Sequence, residues 1–469
     1  MGSLLTLLLL AGTGLLALFR PWVGVVGAYV LGVLAPQYIW FWSFEGLRPV
    51  LVVVIPTLLG FFAALVTGRL SLAPLARPRN LLMALLFVAY SGSYLFGPYT
   101  HVTSGLRSAD PAWAYGIAVN MFILYVVGTT CITTTRRLVA LGAVLVVTGV
   151  YLTYWANATY LATRPWSRLQ GPADASGVGI YRDANVFAMV FVCAVPFLWY
   201  FALGLKRALP RYALWAVIPF AWHAVFLTGS RGGLLGLVVV TLVVALRSRK
   251  KWLGLMLIPA FIAAYQLQAG EVMKERTETL DDFQTESSAA GRLSAWQAAG
   301  RMIAAHPVTG VGVASFVTAF PDFSGDKSRE AHNTFLQIAA ESGVLAGAAY
   351  LAFTVSIVLA LWRTSRIIDR AGGAERNWPL LVTEATLAAV IGLTVCGLFL
   401  SLQLFEMYYY LAVMANGSLH AAAIRPPPVS IPRAPLVPFA RTPVAGNRTA
   451  PRPPVVFPPI QQGNTRHDR

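Results

Sequence analysis

Three short polar motifs interrupt long apolar stretches, and together they hold one imidazole, two guanidiniums and two carboxylates that could do chemistry. Tyr181-Arg182-Asp183-Ala184-Asn185 stands directly before an apolar run. Thr228-Gly229-Ser230-Arg231-Gly232-Gly233 joins two apolar runs with almost no loop between them. Glu330-Ala331-His332-Asn333-Thr334 marks the point where a long polar segment gives way to apolar sequence. Charge at membrane depth is costly and tends to be functional. The glycines around Arg231 let a large anion approach the backbone, and the helix that follows offers it free N–H groups and a positive dipole end. A guanidinium is a planar fork that fits phosphate oxygens. Histidine can be neutral near pH 7 and so can accept a proton. Each motif also has a plainer reading: Asp183 as a helix N-cap beside an interfacial Arg182, Arg231 as a snorkelling side chain in a tight hairpin, and His332 as a polar interfacial residue. His101, His223, His306 and His420 have weaker settings, and His223 lies in an apolar run where packing explains it.

The elements that must position these residues are membrane helices. The chain has 469 residues, 57% hydrophobic and 12% charged, against about 25% charged in ordinary soluble domains. Charge-free runs cover 3–19, 50–68, 80–97, 138–155 and 184–204, and the apolar run 334–362 carries Glu341 as its one charge. A hydrocarbon layer needs about 20 apolar residues per helix, and backbone crossing lipid must satisfy its own hydrogen bonds. The spacing predicts an all-α polytopic protein with about 12 transmembrane helices. The first run lacks a basic leader and a clear cleavage site, so it is read as a retained helix rather than a signal peptide.

The net charge of +17 reflects topology and gives no support for nucleic acid. Arginines and lysines gather in alternate loops, at Arg20, Arg69 to Arg79, Arg136–Arg137, Lys206 to Arg211, Arg247 to Lys251 and Arg363 to Arg376. Those loops are expected in the cytoplasm. The opposite loops are weakly charged or acidic, and the longest, 269–333, carries six basic and nine acidic residues. Four regions follow: helices 1 to 10 with short loops in 1–268, a large periplasmic loop in 269–333, C-terminal transmembrane helices in 334–424, and a Pro/Arg-rich tail in 425–469 expected to be disordered. Within the loop, Leu293, Trp296, Ala299 and Ile303 recur at helical spacing, which predicts short amphipathic surface helices. A turn near Ser401-Leu402-Gln403 would divide the last apolar stretch in two.

No Asp-x-Asp pair, His-x-x-x-His, nucleophile elbow or phosphate-binding loop occurs, so neither a metal nor another cofactor is expected. Cys131, Cys193 and Cys396 lie in or beside apolar runs, with no spacing for a metal site or a disulfide framework.

The pattern Gly291-Arg292-Leu293, Trp296, Pro307, Gly310-Val311-Gly312, Phe316, His332-Asn333, Leu336 and Glu341-Ser342-Gly343, with the Gly-Ser-Arg-Gly-Gly turn before it, resembles bacterial O-antigen ligases (WaaL), O-antigen polymerases (Wzy) and related O-oligosaccharyltransferases. It covers about a quarter of the chain, and Tyr181 to Asn185 looks closest to the ligases. The resemblance implies a GT-C-type glycosyltransferase of the bacterial inner membrane with its active site facing the periplasm. It implies an undecaprenyl-pyrophosphate-linked glycan as donor, lipid A–core as acceptor, and no metal. His332 would be the general base of an inverting transfer. Arg182, Arg231 and Arg292 would hold the pyrophosphate, with Asp183, Asn185, Arg301, Asn333 and Glu341 as secondary candidates. A polymerase or a protein O-glycosylation ligase would share this machinery. A more distant rival is a flippase for lipid-linked glycans, with Glu384 and Glu406 as coupling carboxylates.

Overall fold

The computed structural model describes residues 2–44, 47–102, 110–164, 167–177, 179–248, 250–278, 287–370 and 377–423. Among them secondary structure is helical, with no strand. The α-helices are α1 (Gly2–Phe19), α2 (Pro21–Tyr29), α3 (Pro36–Ile39), α4 (Pro49–Val66), α5 (Pro78–Phe96), α6 (Pro111–Cys131), α7 (Thr135–Thr163), α8 (Ala184–Gly204) and α9 (Ala208–Leu227). They continue as α10 (Arg231–Arg247), α11 (Lys251–Leu255), α12 (Leu257–Gln268), α13 (Glu271–Glu278), α14 (Ser287–Ala305), α15 (Phe316–Ser324), α16 (Thr334–Arg370), α17 (Trp378–Gly397) and α18 (Glu406–Ala423). Pro21, Pro49, Pro78 and Pro111 open helices, where a missing N–H costs nothing and the fixed φ suits the first turn. The basic tail beyond Arg425 lies outside the described residues.

Among the described residues, eight segments are long and apolar enough to cross a membrane: Pro21–Ile39, α4, α5, α6, α7, α8, α16 and α17. The chain is a multi-pass membrane protein. The expectation of about twelve spans exceeds this number because several apolar helices are short or carry polar residues. Helix α10 has 17 residues and α12 has 12. Helix α9 includes Arg211, Trp215, Trp222 and His223. Helix α7 also runs to Thr163, further than the apolar run ending at Trp155 suggests, and Asn157 on this added turn bonds His223 Nδ1 at 2.7 Å.

Two helices form the centre. In α8 and α17, 89% and 83% of the apolar window is buried, against 28% in α5. A helix apolar on every side belongs inside a bundle. Helix α10 packs closely on α17 because both carry glycine at the crossing: a Cβ on Gly236 would lie 2.2 Å from Cys396 Sγ, and one on Gly392 would lie 2.3 Å from Val240. Small residues let membrane helices approach in this way. A polar cluster ties α18 to α5 and α6: Asn416 Nδ2 donates to Asn80 Oδ1 at 3.1 Å and to Tyr125 Oη at 2.9 Å.

Helices α14 and α15 build a second small core. Ala295, Ala298, Ala299, Met302, Phe316, Ala319 and Phe320 are buried together against Ala340 of α16. The buried face of α14 is therefore its alanine face, and Leu293, expected on the apolar side, is exposed. Alanines allow the closer helix contact, and Leu293 falls outside it.

Helix α16 breaks at Gly343, which has φ 86° and ψ 166°, a region essentially restricted to glycine. The break is filled by the Pro307–Gly312 turn. Val344 N donates to Pro307 O at 2.9 Å, Val311 N to Ala340 O at 2.9 Å and Gly312 N to Glu341 O at 3.0 Å. Ser93 of α5 adds a 2.6 Å hydrogen bond to the same Glu341 carbonyl. A Cβ on Gly343 would lie 2.1 Å from Val308 O. The Gly-Val-Gly and Glu-Ser-Gly motifs are thus two halves of one joint. We expect Gly343→Ala to lower stability by about 2 kcal/mol or more, read as a drop of several degrees in the thermal midpoint in detergent. Gly300→Ala on α14, where a Cβ meets nothing within 4 Å, should leave it unchanged or slightly higher; equal behaviour of the two variants would contradict the joint.

Candidate active site

Four chain reversals meet at one end of the bundle, and three of them bring the polar motifs. At the start of α8, Asp183 caps the helix, its Oδ1 accepting from Asn185 N at 2.7 Å. At the α9–α10 turn, Gly229 takes φ +58°, and Ser230 Oγ accepts from Gly233 N at 3.1 Å. This places Arg231 in the first turn of α10. At the start of α16, Asn333 Oδ1 accepts from Phe335 N and Leu336 N, both at 3.1 Å. The α17–α18 turn, 398–405, closes the group.

His332 is the most constrained residue of this end. Its φ is +48°, a left-handed conformation that costs a non-glycine residue about 1 kcal/mol and that histidine tolerates better than most. Three neighbouring bonds hold it there. Trp296 Nε1 donates to Ala331 O at 3.0 Å, His332 N to Ser401 Oγ at 3.2 Å, and Thr334 Oγ1 to Leu400 O at 2.7 Å. Gly232 in turn sits against Leu400, which connects the Arg231 turn to the His332 turn. The imidazole is half-buried. Burial pushes its pKa below the ordinary value, Arg292 pushes the same way, Asp183 opposes, and Arg329 adds a further downward push. His332 is therefore held toward its neutral, proton-accepting form.

The other expected residues divide. Arg292 and Asp183 act on His332 electrostatically, and Arg182 is exposed at the start of α8 beside them. Asn185 and Asn333 bond backbone and neighbours as caps and clamps. Arg301 is exposed and lies nine residues along α14 from Arg292, roughly 13.5 Å at 1.5 Å per residue. Glu341 is buried in the joint, where its Oε1 accepts from Gln337 Nε2 at 3.0 Å and Phe316 N at 3.3 Å. Among the described residues, no group of three His, Cys, Asp or Glu side chains is arranged to hold a metal ion.

One residue at the centre of this arrangement escaped the sequence reading. Arg168 Nε donates to Thr228 O at 2.8 Å and its Nη2 donates to Asn185 Oδ1 at 2.6 Å. It binds the end of α9 to the start of α8, beside a backbone bond from Leu169 N to Leu227 O of 2.9 Å. The signal was an arginine in a loop on the side where arginines are scarce. We expect Arg168→Ala to cost about 3 kcal/mol of stability through its two charged hydrogen bonds. Arg168→Lys should not rescue it, because one ammonium lacks the fork that reaches both acceptors. Wild-type thermal midpoints for both variants would contradict the clamp.

A search of curated proteins returns no match. The family model Wzy_C, described as O-antigen ligase, matches residues 216–351. The matched stretch holds Arg231, Arg292, His332, Asn333 and the Gly343 joint, while Arg168, Arg182 and Asp183 lie outside it. The matched stretch, from the middle of α9 to the middle of α16, is similar to the O-antigen ligase family over that domain.

Proposed function

We propose that the protein is an O-antigen ligase that transfers a glycan from undecaprenyl pyrophosphate to a sugar hydroxyl of lipid A–core, on the periplasmic side of the inner membrane and on a GT-C-type scaffold. The observation that carries this reading is the setting of His332. A near-neutral imidazole is clamped in a left-handed backbone conformation, with Arg292 in electrostatic reach and the Arg231 helix start packed behind it.

The chemistry follows from these positions. The acceptor hydroxyl is a poor nucleophile, so His332 takes its proton as the oxygen attacks the anomeric carbon. The bond from that carbon to the pyrophosphate oxygen breaks in line, and the anomeric centre inverts. Undecaprenyl pyrophosphate leaves as an anion and needs charge stabilisation more than a proton. Arg182, Arg231 and Arg292 supply it, with the first N–H groups of α10. A hollow of about 580 Å³ lies between the loops after α2 and before α8, lined by Tyr38, Phe41, Trp42 and Arg48 on one side and by Asp174 and Ser176 on the other. Tyr181 joins the same two loops by donating to Val33 O. Aromatic walls with a few polar groups suit a glycan.

Of the two carboxylates that the flippase reading needs, Glu384 is paired with Arg247 at 2.6 Å, which disfavours it as a coupling site. Supplying purified protein with lipid-linked O-antigen and lipid A–core distinguishes the remaining acceptors. We expect mature lipopolysaccharide; longer lipid-linked chains instead would identify a polymerase. His332→Ala and Arg231→Ala should each slow transfer about 100-fold or more with normal membrane insertion, and EDTA should leave the rate unchanged. Transfer by His332→Ala at the wild-type rate, or activity lost in EDTA and restored by magnesium, would overturn the mechanism.

A further inference from the structure

The far end of α10 carries a second concentration of charge, separate from the transfer chemistry. Arg231 and Arg247 mark the two ends of this helix of 17 residues, so the two regions lie about 24 Å apart along its axis. A cavity of about 460 Å³ opens there between the ends of α8, α9, α10, α16 and α17. Five cations line it, Arg211, Arg247, Lys250, Lys251 and Arg366, against the carboxylates of Asp369 and Glu384. Arg247 and Glu384 form a two-pronged pair at 2.6 and 2.7 Å, and Arg247 Nη2 also reaches Ser365 Oγ at 2.6 Å. The pair neutralises itself, so the lining keeps an excess of positive charge.

The cavity also collects donors that have nothing to bond. Tyr200 Oη, Arg211 Nε and Trp215 Nε1 are buried without a hydrogen-bond partner, and all three residues line it. A buried donor left unpaired is destabilising, and such groups are rare enough that each calls for an explanation. A ligand that brings acceptor oxygens and negative charge would satisfy all three in this basic cavity. A phosphate diester has both.

The rim selects between a soluble anion and a lipid. Leu246 lines the cavity, Leu209, Tyr212 and Trp252 stand beside its lining residues Arg211 and Lys251 in the chain, and all four are exposed. These are apolar and aromatic surfaces of the kind that sit against acyl chains and headgroups at a membrane interface. The loops at this end are the arginine-rich ones, expected in the cytoplasm, where the facing leaflet is anionic. We propose that this cavity binds the headgroup of an acidic phospholipid, with the phosphate among Arg211, Lys251 and the Trp215 indole and the acyl chains along the apolar rim. The site would fasten the ends of five helices at the face opposite the transfer site.

The test uses the purified full-length chain in a neutral detergent. The probes are dioleoyl phosphatidylglycerol, dioleoyl phosphatidylcholine and sn-glycerol 3-phosphate, read by thermal midpoint and by lipid retention in native mass spectrometry. We expect phosphatidylglycerol to raise the midpoint and to be retained, and the other two to do neither. Arg211→Gln and Lys251→Gln should each weaken phosphatidylglycerol retention about fivefold, as removal of one interfacial cation predicts. Trp215→Phe, which removes a donor and no charge, should also weaken it. Equal stabilisation by phosphatidylcholine would overturn the proposal, as would an equal effect of glycerol 3-phosphate, which would mark a soluble-anion site. Retention unchanged in all three variants would overturn it too.

Discussion

Where a helix ends at a membrane boundary, its last backbone N–H and C=O groups have no partner within the helix, and lipid offers none. The rest of this structure depends on how that demand is met. At the candidate site the helix ends satisfy one another. Arg168 and Leu169 take the carbonyls that end α9, Thr334 takes the Leu400 carbonyl beyond α17, and Trp296 takes the Ala331 carbonyl before α16. A set of bonds required for folding thereby fixes one imidazole among several guanidiniums. Positioning and stability draw on the same contacts, which is why the site needs no loop of its own to hold it.

The glycine joint extends this logic. The break at Gly343 exposes backbone groups in mid-helix, and the Pro307–Gly312 turn fills it. That contact connects the small α14–α15 core to α16 just beyond His332, so Arg292 is delivered to the site by a packed element. Behind these pieces, the enclosed α8 and α17 form a rigid centre, and the close α10–α17 crossing at Gly236 and Gly392 sets where Arg231 stands. A single helix therefore carries an arginine at each end. The first stands in the turn whose Gly232 packs against Leu400, and the second is locked to Glu384 beside the basic cavity.

Much of this could be read from the chain. Apolar run lengths revealed a polytopic bundle, the Asp183 cap and the Ser230 turn were plain in local sequence, and the break between α17 and α18 fell where Ser401 to Gln403 suggested. What escaped was non-local. Arg168 matters because of two acceptors, 17 and 60 residues away, and no local pattern announces them. Gly310, Gly312 and Gly343 belonged to a quoted signature, yet their shared role emerges only when two distant turns meet. Of the apolar stripe expected on α14, Leu293 alone falls outside the buried face, because alanine packs well against a close neighbour while carrying little hydropathy of its own. The eight spans that meet a length-and-composition rule among the described residues leave out short helices such as α10 and α12, which the expectation of about twelve included.

The central claim is that His332 stands neutral at working pH because burial and neighbouring arginines disfavour its cation. Direct titration of the histidines by NMR, in the full chain in lipid nanodiscs, tests this, with the His332 signal identified by its loss in His332→Ala. The account predicts titration below the ordinary imidazole value of about 6.5. Arg292→Gln should move it upward and Asp183→Asn should move it further down, following the signs of the two interactions. A His332 that titrates above the ordinary value, and so is protonated at neutral pH, would contradict its role as the base.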